Sequence, residues 1–248
     1  MVHTKVGNRG ILFTFDELNK PPYDCVTNVY VIIGVDNYFI CDTYLGKYYM
    51  RKIKKFLEDN YGSKDCIVFN SHSHWDHIWG NSEFSNDMII AHEKCRDYIS
   101  INGKQELEEN ISFTKENIEI VLPNITFSSS ITFHEEGLKF FHSPGHSEDS
   151  SSCYDMIDNT LFVGDNVDDP IPSSMDSNDL DKYLDTLNHY LTYQAHRVVQ
   201  SHGKVIDENV IRSNIDYINK LKNNEFMEFQ SEEVIKKHKD NLKFLNID

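Results

Sequence analysis

The chain lacks several features that would each have placed it in a class. No apolar run approaches the about 20 residues that a membrane-spanning helix needs, so no membrane span is expected. The opening stretch, MVHTKVGNRG, carries no apolar core of a secretory signal, which makes a cytoplasmic location the expectation. Cys25, Cys41, Cys66, Cys95 and Cys153 are odd in number and scattered, and no C-x-x-C pair occurs. That pattern excludes a disulfide framework and a Cys-rich structural zinc site, and leaves reduced, mostly buried thiols. Positive charge is also scarce: 24 basic residues stand against 40 acidic ones, a net charge of -16. Such a chain repels polyanions, so neither nucleic acid nor an anionic membrane is an expected partner. The one basic stretch, RKIKKF at 51–56, reads as the solvated face of a helix.

What is present suits a globular protein: 248 residues, 39% hydrophobic and 26% charged, enough to bury a substantial core. No repeat or linker divides it, so residues 1–248 are expected as a single domain with C-terminal helices from position 208. "TNVYVIIGVDNYFICDTY" reads as two strands, Val29 to Ile33 and Tyr38 to Cys41, around a turn at 34–37. "GKYYMRKIKKFLEDNYG" follows with helical spacing and stops at Gly62. CIVFN is a buried-strand candidate, and "MIIAHEKCRDYIS" repeats strand then helix. Residues 102–124 are polar and poorly periodic and are expected over or beside the active face. "SITFHEEGLKFFHSPGHS" reads as a hairpin turning at 135–137, followed by the runs TLFVGD and RVVQSH. Helical patterns cover 178–195, 208–222 and 230–245. Two β-rich halves, each followed by helices, predict a layered α/β fold.

One segment, "NSHSHWDHIWGN" at 70–81, gathers His72, His74, Asp76 and His77. A chain of this composition would contain H-x-H-x-D-H by accident roughly once in 400 cases. Three more candidates each follow a short apolar run: His146 in FFHSPGHS, Asp165 in LFVGDN and His202 in VVQSHG. Loops at strand ends are where a rigid sheet holds catalytic groups. Five imidazoles and two carboxylates are more than one tetrahedral ion can use, whereas two ions sharing a carboxylate use them well.

H-x-H-x-D-H, then PGH, then GD, then a late His resembles the pattern of the metallo-β-lactamase-fold hydrolases, with all seven positions filled between 72 and 202. The resemblance implies an αββα four-layer sandwich with the site in the cleft between two sheets. It gives one metal to His72, His74 and His146 and a second to Asp76, His77 and His202, with Asp165 bridging. Asp42 in FICDTY matches the family's early strand-end aspartate, supporting the site from behind, although capping the next turn is an ordinary alternative. His92, His134, His142, His189 and His196 are not carried over.

The resemblance further implies two Zn2+ per chain, with Fe or Mn as alternatives. Two ions about 3.5–4 Å apart can lower the pKa of a water held between them and polarise the electrophile. Asp165 and Asp76 are the catalytic candidates, the first orienting that water, the second helping with the proton. The expected activity is hydrolysis of a small ester, thioester, lactone or phosphoester. Family β-lactamases generally lack the bridging aspartate, so Asp165 argues against antibiotic hydrolysis. Only residues 203–248 follow His202, which leaves little room for the helical glutathione-binding domain of glyoxalase II-like thioesterases. A persulfide dioxygenase-like site, with one iron on His72, His146 and Asp165, is the redox alternative; a non-catalytic metal-binding protein is the other. Trp79 stands where the family usually has glycine, as a pocket wall or as packing under the loop. Glu148 and Asp149 either face the cleft or are solvated loop charges. Pro170, Ile171, Pro172 and Met175, in the loop 166–178, are expected as an apolar lid.

Overall fold

The computed structural model describes residues 1–173 and 175–247. Its first sheet has seven strands in the order β1 to β7: Val2–Val6, Gly10–Phe15, Thr27–Ile33, Asn37–Cys41, Asp65–Phe69, Met88–His92 and Ile125–Phe127. The second has six, in the order β13-β12-β11-β10-β9-β8, formed by Ser130–Phe133 (β8), Leu138–His142 (β9), Ser151–Asp155 (β10), Thr160–Gly164 (β11), Arg197–Gln200 (β12) and Val205–Ile206 (β13). Helices α1 (Lys47–Tyr61), α2 (Trp75–Ile78) and α3 (Glu93–Asn110) belong to the first half. Helices α4 (Leu180–Thr192), α5 (Glu208–Lys222) and α6 (Glu232–Leu245) belong to the second.

The strands read as near-continuous apolar runs because both faces are covered. In β4, Phe39 and Cys41 enter the core between the sheets, while Tyr38 and Ile40 point outward under α1. In β11, Phe162 faces the inter-sheet core, while Leu161 and Val163 face α4 and α5. Period-two alternation thus sorts one strand's side chains into two cores, and three cores separate four layers. The αββα sandwich implied by the motifs is the observed fold. Aromatic rings fill its centre: Phe69 and Phe140 meet across the sheets with centroids 4.7 Å apart.

On α1, Tyr49, Met50, Ile53 and Leu57 form the buried stripe, and Arg51, Lys52 and Lys55 are exposed, as the basic stretch suggested. Gly62 ends this helix at φ 87°, a conformation that glycine adopts without strain.

At one end of the sandwich, buried carboxylates clip turns of the first sheet to turns of the second. Asp155 accepts both Arg9 Nε (2.8 Å) and Nη2 (2.6 Å). Asp158 accepts the backbone amides of Asn8 (2.6 Å) and Arg9 (2.9 Å). Glu136, 5% exposed, accepts the amides of Val35 (2.6 Å) and Asp36 (3.2 Å). Charge-assisted bonds of this kind are the strong ones, and they fix the sheets' relative register at the end where β4, β9 and β11 begin.

Residues 102–110, poorly periodic in sequence, are helical, because α3 continues to Asn110. Its buried stripe is only one residue wide, at Cys95, Ile99 and Gly103 with Leu107 partly buried, so little periodicity shows. One expectation is corrected: the apolar residues of the 166–178 loop do not form a lid, because Ile171 and Met175, each 4% exposed, are buried in the core beneath α4 and α5. Ile171→Ala should therefore cost about 2–5 kcal/mol of stability. It should leave KM unchanged, as thermal melts and kinetics would show; a raised KM with an unaltered melt would restore the lid.

Candidate metal centre

The end opposite the carboxylate clips is built from strand termini. β4 leads into Asp42, β5 into His72, β11 into Asp165 and β12 into His202, while the turn after β9 carries His146. Pairing is parallel between β4 and β5 and between β11 and β12, so their C-terminal ends lie side by side. Gly164 takes φ 59° at a register shift in β11, turning the chain so that Asp165 leaves the strand toward the cleft. The single turn of α2 delivers Asp76 and His77. Thr43 pins it to β4's exit by donating to the His77 carbonyl at 3.1 Å, and a reciprocal Asn70–Asn81 amide pair (3.0 and 2.8 Å) ties the turn after it to β5's exit.

All seven expected ligands converge. One Asp165 oxygen, Oδ2, lies 3.2 Å from His202 Nε2, 3.5 Å from His77 Nε2, 3.8 Å from His72 Nε2 and 3.9 Å from His146 Nε2. His146 Nε2 is 3.2 Å from His74 Nδ1. Asp76 Oδ2 is 3.4 Å from His77 Nε2 and 3.6 Å from His202 Nε2. Three groups have donor atoms mutually within 4.8 Å and could each hold an ion: His72–His74–His146, His72–His77–Asp165 and Asp76–His77–His202.

Hydrogen bonding fixes which ring nitrogens face inward. Asp42 accepts His77 Nδ1–H at 3.0 Å and the Ser71 hydroxyl at 2.8 Å. With its proton committed to Asp42, Ser71 Oγ accepts His72 Nδ1–H at 2.9 Å. His202 Nδ1 donates to the Val26 carbonyl at 2.9 Å. His74 is reversed: its Nε2 faces Asp176 Oδ2 at 3.5 Å and its Nδ1 points inward. Outer partners of this kind set the orientation and basicity of metal-binding imidazoles.

These residues fit a bound cation pair. Among the described residues, His72 Nε2, His77 Nε2 and Asp165 Oδ1 are buried without hydrogen-bond partners, an arrangement costly unless something else satisfies them. The donors are imidazoles and carboxylates, a set suited to zinc with open positions. Burial would raise the Asp165 pKa, yet His202, His77 and His72 hold it well below the usual carboxylate range. Burial would lower His77, but Asp76, Asp165 and Asp42 hold it well above the ordinary imidazole value. His202 is likewise raised, by Asp165 against burial. Burial, helped by the neighbouring imidazoles, carries His146 down to about 4 and His72 well below its ordinary value.

Other expectations resolve individually. Asp42 holds His77 and Ser71 rather than capping a turn. Trp79 is fully buried and packs on Trp75 at 4.9 Å, so it is packing under the loop. Glu148 pairs with Lys94 at 2.8 Å, and Asp149 is not a solvated charge but fully buried. His92 and His142 stack on each other at 3.8 Å, away from the ligands. Sequence reading missed Asn166. Fully buried, it accepts His146 N at 2.8 Å and donates to the Ser143 carbonyl (2.6 Å) and Tyr190 Oη (2.7 Å), tying the His146 turn to Asp165. An Asn directly after a strand-end Asp was the available signal.

An imidazole binds metal only in its neutral form, and the neighbouring carboxylates raise His77 and His202, so a cation competes with protons for these rings and its apparent affinity rises with pH. Titrating metal at pH 7 should release protons, fewer as pH rises, seen as binding heats that depend on the buffer's ionisation enthalpy; heats independent of buffer would contradict this.

Comparisons with known proteins agree with this geometry. The family described as the metallo-beta-lactamase superfamily matches residues 22–202. The beta-lactamase-like protein 2 homolog of Caenorhabditis elegans is 26% identical over 170 residues, 68% of this chain and 52% of that protein. The probable metallo-hydrolase YybB of Bacillus subtilis (strain 168) is 29% identical over 133 residues, 52% of this chain and 57% of that protein. The chain thus spans about half the length of the curated relatives it matches. Among solved structures, a metallo-beta-lactamase from Pontibacter korlensis superposes with TM-score 0.72 at 17% identity, covering 88% of this chain and 98% of its own. The DIM-1 metallo-beta-lactamase exposed to ceftazidime gives 0.68 at 18% identity, covering 89% and 97%. At such identities these two likenesses bear on the fold alone. With the family pattern matched across most of its length on an αββα frame, the chain belongs to the metallo-beta-lactamase superfamily.

Proposed function

We propose that the protein is a dinuclear-metal hydrolase, with zinc as the resident ion, acting on a small ester, thioester, lactone or phosphoester. The observation that carries this reading is the position of Asp165 Oδ2, within 3.2–3.9 Å of four imidazole nitrogens drawn from both metal trios. A mononuclear iron site on His72, His146 and Asp165 would leave Asp76, His77 and His202 without a use, although their donor atoms also converge. Membership of the superfamily and the relative named as a metallo-hydrolase support the reaction class.

His72, His74 and His146 would hold one ion and Asp76, His77 and His202 the other, with Asp165 shared. When bound, such a pair supplies the Lewis acidity that makes water nucleophilic near neutral pH and stabilises charge on the leaving atom. The chain's own residues do the positioning. Asp165 keeps its carboxylate ionised between the two trios and offers its unpartnered Oδ1 to the cleft-side chemistry. Asp76 lies beside it, 12% exposed at its side chain, where it can accept a proton from an incoming nucleophile. Asp42, Ser71 and the Val26 carbonyl hold the imidazoles so that no reorganisation is needed as charge develops.

The net charge of -16 makes a neutral or cationic small molecule the better substrate class. On a panel of such esters, thioesters, lactones and phosphoesters, Asp165→Asn should lower kcat/KM by about 100- to 1000-fold, with the fold retained by circular dichroism. Wild-type turnover that Asp165→Asn leaves intact would sink the assignment.

A further inference from the structure

The two trios are braced by outside carboxylates in different ways. Behind the second trio, Asp42 sits at the end of β4, is 1% exposed, and holds His77 at 3.0 Å. Behind the first, the carboxylate belongs to a loop: Asp176 faces His74 Nε2 at 3.5 Å, with side-chain exposures of 60% and 27%. Asp176 also reaches the trio through its backbone, because its amide donates to the His146 carbonyl at 2.7 Å. One residue therefore touches two of the three imidazole ligands of the first position. Neither contact involves the motif residues between them.

The loop that carries Asp176 is held by α5 and α6, which lie beyond the residues matched by the family pattern. Asn214 of α5 accepts the Asp168 amide at 3.1 Å and donates to the Asp168 carbonyl at 2.9 Å. From α6, Lys237 donates to Asp168 Oδ2 at 2.9 Å, and Asn241 donates to the Pro172 carbonyl at 2.7 Å. Asn214 and Asn241 are 0% and 1% exposed. Ile171 and Met175 are buried in the same core as Ile211, Ile218 and Val234 of these helices. A continuous set of contacts thus runs from the C-terminal helices through the loop to His74 and His146.

We propose that Asp176 is a positioning residue for the first metal position, and that α5 and α6 set that position by holding its loop. The proposal rests on the two-metal reading. The strand-end brace makes the second position intrinsic to the sheet and also reaches His72 through Ser71, whereas the loop brace makes His74 and His146 of the first position dependent on the C-terminal helices. An imidazole backed by a carboxylate is both fixed in tautomer and more basic, and loss of that partner typically weakens metal binding by about 10- to 100-fold.

The test is chelator competition on zinc-loaded protein, following each equivalent released, with thermal melts of the metal-free forms. In Asp176→Ala, one equivalent should be released about 10- to 100-fold more readily while the other is held as in wild type and the metal-free melt is unchanged. Asp176→Asn, which keeps an acceptor for the His74 Nε2–H but no charge, should fall between. Asn241→Ala should loosen the same equivalent by a smaller factor; should it not fold, Lys237→Met carries this arm. Both equivalents held as in wild type by Asp176→Ala would overturn the positioning role. A folded α6 variant with wild-type release would overturn the part assigned to the helices. A wild type that binds only one equivalent would fail the two-metal reading itself, and the proposal with it, before any variant is compared.

Discussion

The constraint on which this molecule depends is a carboxylate oxygen, Asp165 Oδ2, packed among four imidazole nitrogens within 3.9 Å. Gathering so many ionisable groups in a buried place is expensive unless they are paired with one another or with metal. The fold supplies both the enclosure and the precision. Parallel strand pairs bring successive C-terminal ends together, and a sharp Gly164 turn aims the acid between them. The apolar core between the sheets keeps them from sliding, and Arg9–Asp155, Asp158 and Glu136 fix the far end. The outward ring nitrogens of His77, His72, His202 and His74 are committed to Asp42, Ser71, the Val26 carbonyl and Asp176, which leaves their inward nitrogens aimed at the cation site.

Much of this was legible in the sequence, for a physical reason. His72, His74, Asp76 and His77 must come from one strand exit and one helical turn, so their spacing is short and stands out against chance. The strands around them are buried on both faces, which writes long apolar runs. His146, Asp165 and His202 carry a weaker local signal, a place just past a short apolar run, and the superfamily resemblance gave them their roles.

The parts that were not legible depend on tertiary contacts. Asn166 and Asp176 act through backbone groups and rings far along the chain; Asn166 is marked locally only by following a strand-end Asp, and nothing in the local sequence marks Asp176. Apolar residues in the 166–178 loop are consistent with either a lid or a core, and only the placement of α4 and α5 decides for the core. Asp149 reads in sequence as either a cleft-facing or a solvated loop charge, yet the turn that carries His146 buries it completely. The end of α3 was lost because a stripe of one residue per turn, partly of cysteine and glycine, does not look amphipathic.

The claim at the centre is that two ions share Asp165. Elemental analysis of protein purified without added metal or chelator, expressed as atoms per chain, examines it with no assumption about substrate. Close to two zincs per chain is the predicted result. Close to one iron, with Asp76, His77 and His202 left free, would contradict it and point instead to oxygen-dependent chemistry.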